Sequence, residues 1–335
     1  MRAAIYPGGG KPITIETLAD PEPGPGEVLL RVERCGICGT DVSMTKGQTW
    51  DYAPGQFGHE YAGEVVALGK GVERLKVGAR AAVIPALGCG HCPACDAGDN
   101  PIICASPHAA LGGFSEYVAI PEAVAFPLPE TLSVSDGALI EPLAVGLYSM
   151  RRSGLAKGET VLVLGGGTVA LYAIYWARRM GARRIVAASR SNRRRDLCLQ
   201  MGADAFVTFG DDEMAEAMDA LGGLPDVVIE AVGVEGMLDK AVLHARPYGR
   251  VISLGFCTHP DPVLPAMASY KCVTVQFLVG YTPEEFRYIA DEFDKGHVDP
   301  ATILTRTVPL DALPAVMAEL RGPNEDTKVH VSLPG

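Results

Sequence analysis

A chain of 335 residues is long for one ordinary core and suits two domains of common size. Apolar residues make up 48% and charged residues 21%, the balance of a globular protein with ample core. A net charge of −11 argues against nucleic acid or an anionic membrane as partner, because both call for basic surface.

Up to about Glu130 the pattern is β-rich. Stretches 13–16, 28–33, 61–68, 79–84 and 114–119 read as strands, with PEPGPGE as a turn. From Thr160 short apolar runs alternate with amphipathic stretches, at 160–164, 184–188, 205–208, 226–230, 250–254 and 272–276. These predict an α/β unit, a doubly wound parallel six-stranded sheet with helices between the strands. Residues 161–177 carry no charge and approach the length of a membrane span, but Gly165, Gly166 and Gly167 interrupt them. A buried strand followed by a helix fits better. After Pro283 a helix is expected through 286–295. The tail, 302–333, returns to short strands and one helix, and is expected to rejoin the first domain. The expected division is 1–147 with 284–335, and 148–283.

Cys89, Cys92, Cys95 and Cys104 crowd into sixteen residues, spaced C-x2-C-x2-C-x8-C. Four thiolates at such spacing can close the shell of one tetrahedral zinc, which leaves no place for substrate, so this ion is expected to be structural. The other cysteines are scattered, and the start MRAAIYPGGG has no apolar signal core, so a reducing cytoplasm is expected.

The stretch VLVLGGGTVALYAIYWARRMGA holds G-x-G-x-x-A at Gly165, Gly167 and Ala170, after a strand and opening a helix. That context suits a dinucleotide: Gly165 permits the turn, Gly167 admits the pyrophosphate, and Thr168 and Val169 begin the helix that receives it. The second strand ends in Ser189 and Arg190, where a carboxylate for a ribose 2′-OH would ordinarily stand, and no acid follows until Asp196. Arg can grip a 2′-phosphate through its planar fork, so NADP(H) is preferred over NAD(H). Arg193, Arg194 and Arg195 lie just beyond. Of these, Arg194 is counted with the cofactor residues, while the solvated face of a helix is the alternative description of Arg194 and Arg195.

Upstream stand CGICGTD at 35–41, GHE at 58–60 and EPLAVG from Glu141. With the cysteine lobe and GGGTVA, these motifs in this order resemble the zinc-dependent medium-chain dehydrogenase/reductase family, in its alcohol and polyol dehydrogenase branch. The resemblance covers essentially the whole chain. It implies a GroES-like β-rich catalytic domain plus a Rossmann domain, with two zinc ions per chain. The catalytic zinc would take Cys38, His59 and Glu141, with Glu60 placed to approach the ion and exchange with substrate or water. Asp41 would orient His59, and Thr40 would begin a proton relay; a helix-start cap at Thr40 after Gly39 is compatible with that role. Cys35 has no ligand role in that pattern and reads as a packed thiol. Cofactor contacts are implied at Val232, Gly233 and Leu254, and at Lys328 on the pyrophosphate. A homodimer or homotetramer is implied as well.

The chain departs from the family pattern in places. Ser43 stands where many relatives complete the relay with His. The lobe has eight residues between Cys95 and Cys104 where seven is usual, so a bulge at 99–101 is expected. Trp50, Tyr52 and Phe57 could line a substrate pocket or be ordinary loop and core aromatics. The substrate expected is a secondary alcohol or its ketone, or a polyol or cyclitol. Alternatives are an NAD-dependent polyol dehydrogenase, a zinc-free quinone or enone reductase, and a nucleotide-binding protein with a dead site. The cysteine lobe and the Cys38/His59 pair speak against the zinc-free reductase, and intact Cys38, Thr40, His59 and Glu141 against a dead site.

Overall fold

The computed structural model describes residues 1–47, 51–98 and 100–334. The chain forms two compact units, Met1–Ala144 with Thr282–Gly335, and Val145–Tyr281.

The first unit opens with β1 (Arg2–Tyr6), β2 (Thr14–Thr17), β3 (Glu27–Ile37), α1 (Gly39–Met44), β4 (Gly55–Gln56), β5 (Glu60–Leu68) and β6 (Arg80–Val83). There follow β7 (Ala86–Leu87), α2 (Pro93–Ala97), β8 (His108–Ala109), β9 (Tyr117–Pro121), β10 (Ala125–Pro127) and α3 (Val134–Arg152), within which the unit boundary falls. In β3, Val28, Leu30 and Val32 alternate into the core, as a half-buried strand requires. The strand then runs on through Cys35, Gly36 and Ile37, all buried, beyond the residue at which its pattern predicted it to stop. That extension carries the chain to Cys38. β3 and β5 pair antiparallel with Gly36 opposite Glu60, and a Cβ at position 36 would collide with Glu60 Oε2. Glycine here permits the close approach of that carboxylate.

The second unit holds β11 (Thr160–Leu164), α4 (Thr168–Arg179), β12 (Arg184–Ser189), α5 (Arg195–Gln200), β13 (Ala205–Thr208), α6 (Glu213–Leu221), β14 (Val227–Glu230), α7 (Met237–His244), β15 (Arg250–Ser253), α8 (Pro265–Lys271) and β16 (Thr274–Phe277). All six strands are parallel, in the order β13-β12-β11-β14-β15-β16. β11 and β14 are buried at every position, because helices cover both faces of such a sheet. The strand order reverses between these two strands, and in folds of this kind ligands bind beyond their carboxyl ends. The uncharged stretch 161–177 forms most of β11 and α4. Among the described residues no helix is long and apolar enough to cross a membrane.

The chain then returns to the first unit with α9 (Pro283–Asp294), α10 (Pro300–Ile303), β17 (Leu304–Pro309), α11 (Leu313–Leu320) and β18 (Lys328–Ser332). β18 lies antiparallel to β3, placing His330 opposite Gly36. Strands β10-β6-β5-β3-β18-β17 thus form one sheet built from both ends of the sequence, with β9 also on β3. Val329 and Val331 of β18 join Leu30, Val32, Tyr61 and Phe114 in its core.

Candidate metal and cofactor sites

Cys38 follows the last residue of β3 and caps α1. Its Sγ accepts the Thr40 N–H at 3.4 Å, and Asp41 Oδ2 accepts the Cys38 N–H at 2.9 Å. The cap is therefore Cys38 itself, not Thr40 after Gly39. His59 precedes β5, and its Nδ1 lies 3.3 Å from Oδ1 of the fully buried Asp41. That contact occupies one ring nitrogen and leaves Nε2 as the ligand atom, the usual arrangement of an oriented metal-binding histidine.

Ligand atoms of Cys38, His59 and Glu60 lie within 4.8 Å of one another. Burial works against a charged His59 ring, but the negative charges of Asp41 and Cys38 outweigh it and hold its pKa well above the ordinary value. A metal bound here would displace the imidazole proton. Glu60 is 1% exposed, and Lys328 Nζ donates to its two oxygens at 2.7 and 2.5 Å and to Ile37 O at 3.2 Å. Lys328, assigned to pyrophosphate by resemblance, instead has its ammonium committed inside the first unit, 1% exposed. Burial opposes its charge, yet Glu60 above all keeps its pKa raised. Glu141, buried on α3 just before Pro142, also contributes to that rise, but it is not within the 4.8 Å set.

The aromatics between the two ligand motifs separate. Phe57 is 2% exposed and meets Phe114 edge-on at 5.0 Å, so it is a core residue. Tyr52 OH donates to Asp41 Oδ1 at 3.1 Å. Trp50 lies outside the described residues. Cys35 is fully buried in the core, as a packed thiol should be, and burial first of all raises its pKa. Ser43 is exposed on α1.

The second cluster unites Cys89, Cys92, Cys95 and Cys104, again with sulfurs within 4.8 Å. Cys92 Sγ is 3.5 Å from Cys95 Sγ and 3.8 Å from Cys104 Sγ. A tetrahedron with Zn–S bonds of about 2.3 Å has edges of about 3.8 Å, so these sulfurs stand at the spacing of an S4 zinc shell. Backbone N–H groups prepare the charge: Cys104 Sγ accepts from Cys89 and Ser106 at 3.3 and 3.4 Å. N–H bonds from Cys95 and Ala105 lead in lowering Cys92 to about 6. Of the expected bulge, Asp99 lies outside the described residues, and Pro101–Ile103 makes a tight 3-10 turn before Cys104.

In the second unit Gly165 follows β11 with φ +121°, a conformation that side chains rarely adopt, and its N–H bonds Ala188 O at 2.7 Å. Gly167 then caps α4, whose first residues are Thr168 and Val169. Ser189 ends β12, and Arg190 beyond it is exposed. Arg194 is not part of a solvated helix face. Its Nη1 donates to Gly166 O at 3.2 Å and stands 3.7 Å from where a Cβ on Gly167 would be. Val232 and Gly233 have their N–H groups on Glu230 Oε1 at 2.7 and 2.8 Å, and Leu254 N–H bonds Glu230 O at 2.7 Å. Glu230, 3% exposed, thus shapes the loops beyond β14 and β15, a role sequence reasoning missed. An acid ending an otherwise apolar strand was the available signal.

The geometry meets a consistent set of relatives. Residues 24–130 match the alcohol dehydrogenase GroES-like domain, and residues 168–295 match the zinc-binding dehydrogenase domain. The (R,R)-butanediol dehydrogenase of Bacillus subtilis strain 168 is 34% identical over 319 residues, covering 90% of this chain and 91% of its own. A solved structure from Sinorhizobium meliloti 1021, described as a zinc-binding dehydrogenase bound to NADP, superposes with a TM-score of 0.89 at 33% identity, covering 99% and 98% of the two chains. A short chain alcohol dehydrogenase from Escherichia coli CFT073, complexed with NADH, superposes at 0.91 with 26% identity over 99% of each chain. The chain belongs to the zinc-dependent medium-chain dehydrogenase/reductase family. It is an oxidoreductase of the alcohol dehydrogenase kind, GroES-like in one unit and Rossmann-like in the other.

Proposed function

We propose that this chain is a zinc- and NADP(H)-dependent dehydrogenase that interconverts a secondary alcohol, polyols and cyclitols included, and its ketone. The observation that carries the reading is the convergence of Cys38, His59 and Glu60 in front of a buried Asp41. The family resemblance supplies Glu141 as the third ligand, and charge balance agrees with it. Lys328 neutralises Glu60, so Cys38 thiolate and Glu141 carboxylate together balance a dication, with His59 neutral between them. Glu60 remains beside the metal as a carboxylate that can exchange with substrate or water.

When bound, zinc supplies Lewis acidity to the substrate oxygen and the nicotinamide carries the hydride. The chain's own residues do the rest. Cys38, His59 and Glu141 hold the ion, Asp41 fixes the His59 ring, and Thr40 passes the hydroxyl proton outward. Cys89, Cys92, Cys95 and Cys104 hold a second, structural zinc. For the cofactor, no acid stands at Ser189, the Arg194 guanidinium leans on the glycine loop, and exposed Arg190 directly follows β12. These features favour a 2′-phosphate. The NADP-bound relative supports that choice. We also take the protein to act as a homodimer or homotetramer. In its support, β16 is an outer strand whose exposed Phe277 and the nearby exposed Tyr270 suit a second copy.

The test strips zinc with a chelator and follows turnover of an alcohol and polyol panel with NADP⁺. Activity should vanish and return with added Zn²⁺ but not Mg²⁺, and NADPH should bind more tightly than NADH. Turnover that survives metal removal would end the zinc reading, and tighter NADH binding would end the cofactor reading.

A further inference from the structure

Asp41 is a carboxylate with no exposed surface. Three donors surround it: the Cys38 N–H on Oδ2 at 2.9 Å, and Tyr52 OH and His59 Nδ1 on Oδ1 at 3.1 and 3.3 Å. A buried charge needs such donors, because water cannot supply them. Tyr52 is fixed from two sides. Its N–H donates to the carbonyl of Met44, the last residue of α1, at 3.0 Å, and its ring lies against Phe57 at 6.2 Å, which in turn meets Phe114. Burial, then the charge of Asp41, raises its pKa, so the hydroxyl stays a donor. A simple packing ring would need no hydroxyl here, and a pocket-lining phenol would not have its hydroxyl on Asp41.

Resting on the metal-centre reading above, we infer that Tyr52 is a positioning residue, which holds the Asp41 carboxylate so that His59 presents Nε2 to the metal. The phenol shares Oδ1 with His59. It restrains rotation of the carboxylate and sets how strongly Asp41 draws on the imidazole N–H. Its effect belongs to one metal centre only, since nothing in this network touches Cys89, Cys92, Cys95 or Cys104 among the described residues.

The experiment uses the zinc-loaded full chain and times zinc release to a chromogenic chelator, with the cobalt-substituted protein giving a visible spectrum. Wild type should release zinc in two phases. In Tyr52→Phe the phase from Cys38 and His59 should quicken by about tenfold, the lower end of what loss of a ligand's supporting partner costs. The cysteine-quartet phase should hold its rate, and the cobalt bands should shift. Phe57→Leu loosens the same ring stack but keeps the hydroxyl, and should release zinc at nearly the wild-type rate. Equal acceleration by both variants, loss of the quartet phase in Tyr52→Phe, or a Tyr52→Phe protein with wild-type phases and spectrum would each overturn the inference. A wild type that releases zinc from the quartet alone would instead bring down the metal-centre reading itself.

Discussion

The two candidate metal centres sit in the same unit and are assembled in opposite ways. The cysteine quartet draws its four sulfurs from sixteen residues, and its supporting N–H donors come from Cys89 and Cys95 within that stretch and from Ala105 and Ser106 directly after it. The other gathers Cys38 from just beyond β3 and His59 and Glu60 from the entry to β5, with Lys328 from β18 on Glu60. Chain closure over a few residues costs little, so the quartet can collect its ion locally. The open centre exists only after β3, β5 and β18 have paired in register, and removing its metal should cost chemistry and hardly any stability.

That contrast can be broken. His59→Ala should lower turnover on the order of 10³-fold, the scale of losing a principal electrostatic stabiliser, and reduce bound zinc from about two per chain to about one. Its melting temperature should stay within a few degrees of wild type, as calorimetry would show. Cys95→Ser should do the reverse. It should lower Tm by roughly 5–10 °C, a few kcal/mol for a unit of this size, while the zinc that remains supports turnover within about twofold of wild type. A Cys95→Ser protein that kept its Tm, or a His59→Ala protein that lost it, would erase the distinction.

Smaller effects sharpen it. Arg194→Ala should weaken NADPH by about tenfold, one charge-assisted contact, and leave NADH nearly unchanged in fluorescence titrations. Equal loss for both cofactors would reassign Arg194 to holding the glycine loop. In metal-free protein Cys92, lowered to about 6, and Cys95, raised to about 11, should alkylate with widely separated pH profiles. The sign follows from the thiolate: Cys92 is deprotonated above its lowered pKa and gains a proton as pH falls through about 6. Quartet zinc affinity should therefore fall away on acidification through that range, read by chelator competition.

Legibility in the sequence follows the same division between local and distant. The quartet spacing, the glycine turn at Gly165 to Gly167 and the six apolar runs are local signals, and β11 and β13 span 160–164 and 205–208 as predicted. The open centre was legible only through resemblance. Spacing alone cannot bring Glu60 against Gly36 or β18 beside β3, because register comes from the sheet. The Lys328–Glu60 pair lies 268 residues apart in sequence, so nothing local ties the two together, and a basic residue near the end looks free to meet phosphate. Arg194 and Tyr52 show the same limit at short range. A run of arginines looks like solvated helix and a loop tyrosine looks like lining, until the backbone fixes where each side chain reaches.

The decisive observation is anomalous scattering at the zinc edge from crystals of the metal-replete protein. Two peaks per chain are predicted, one among Cys89, Cys92, Cys95 and Cys104, and one bonded to Cys38 and His59 at about 2.3 and 2.1 Å. A single peak at the quartet, with Cys38 and His59 turned away from each other, would contradict the open centre on which the proposed chemistry depends.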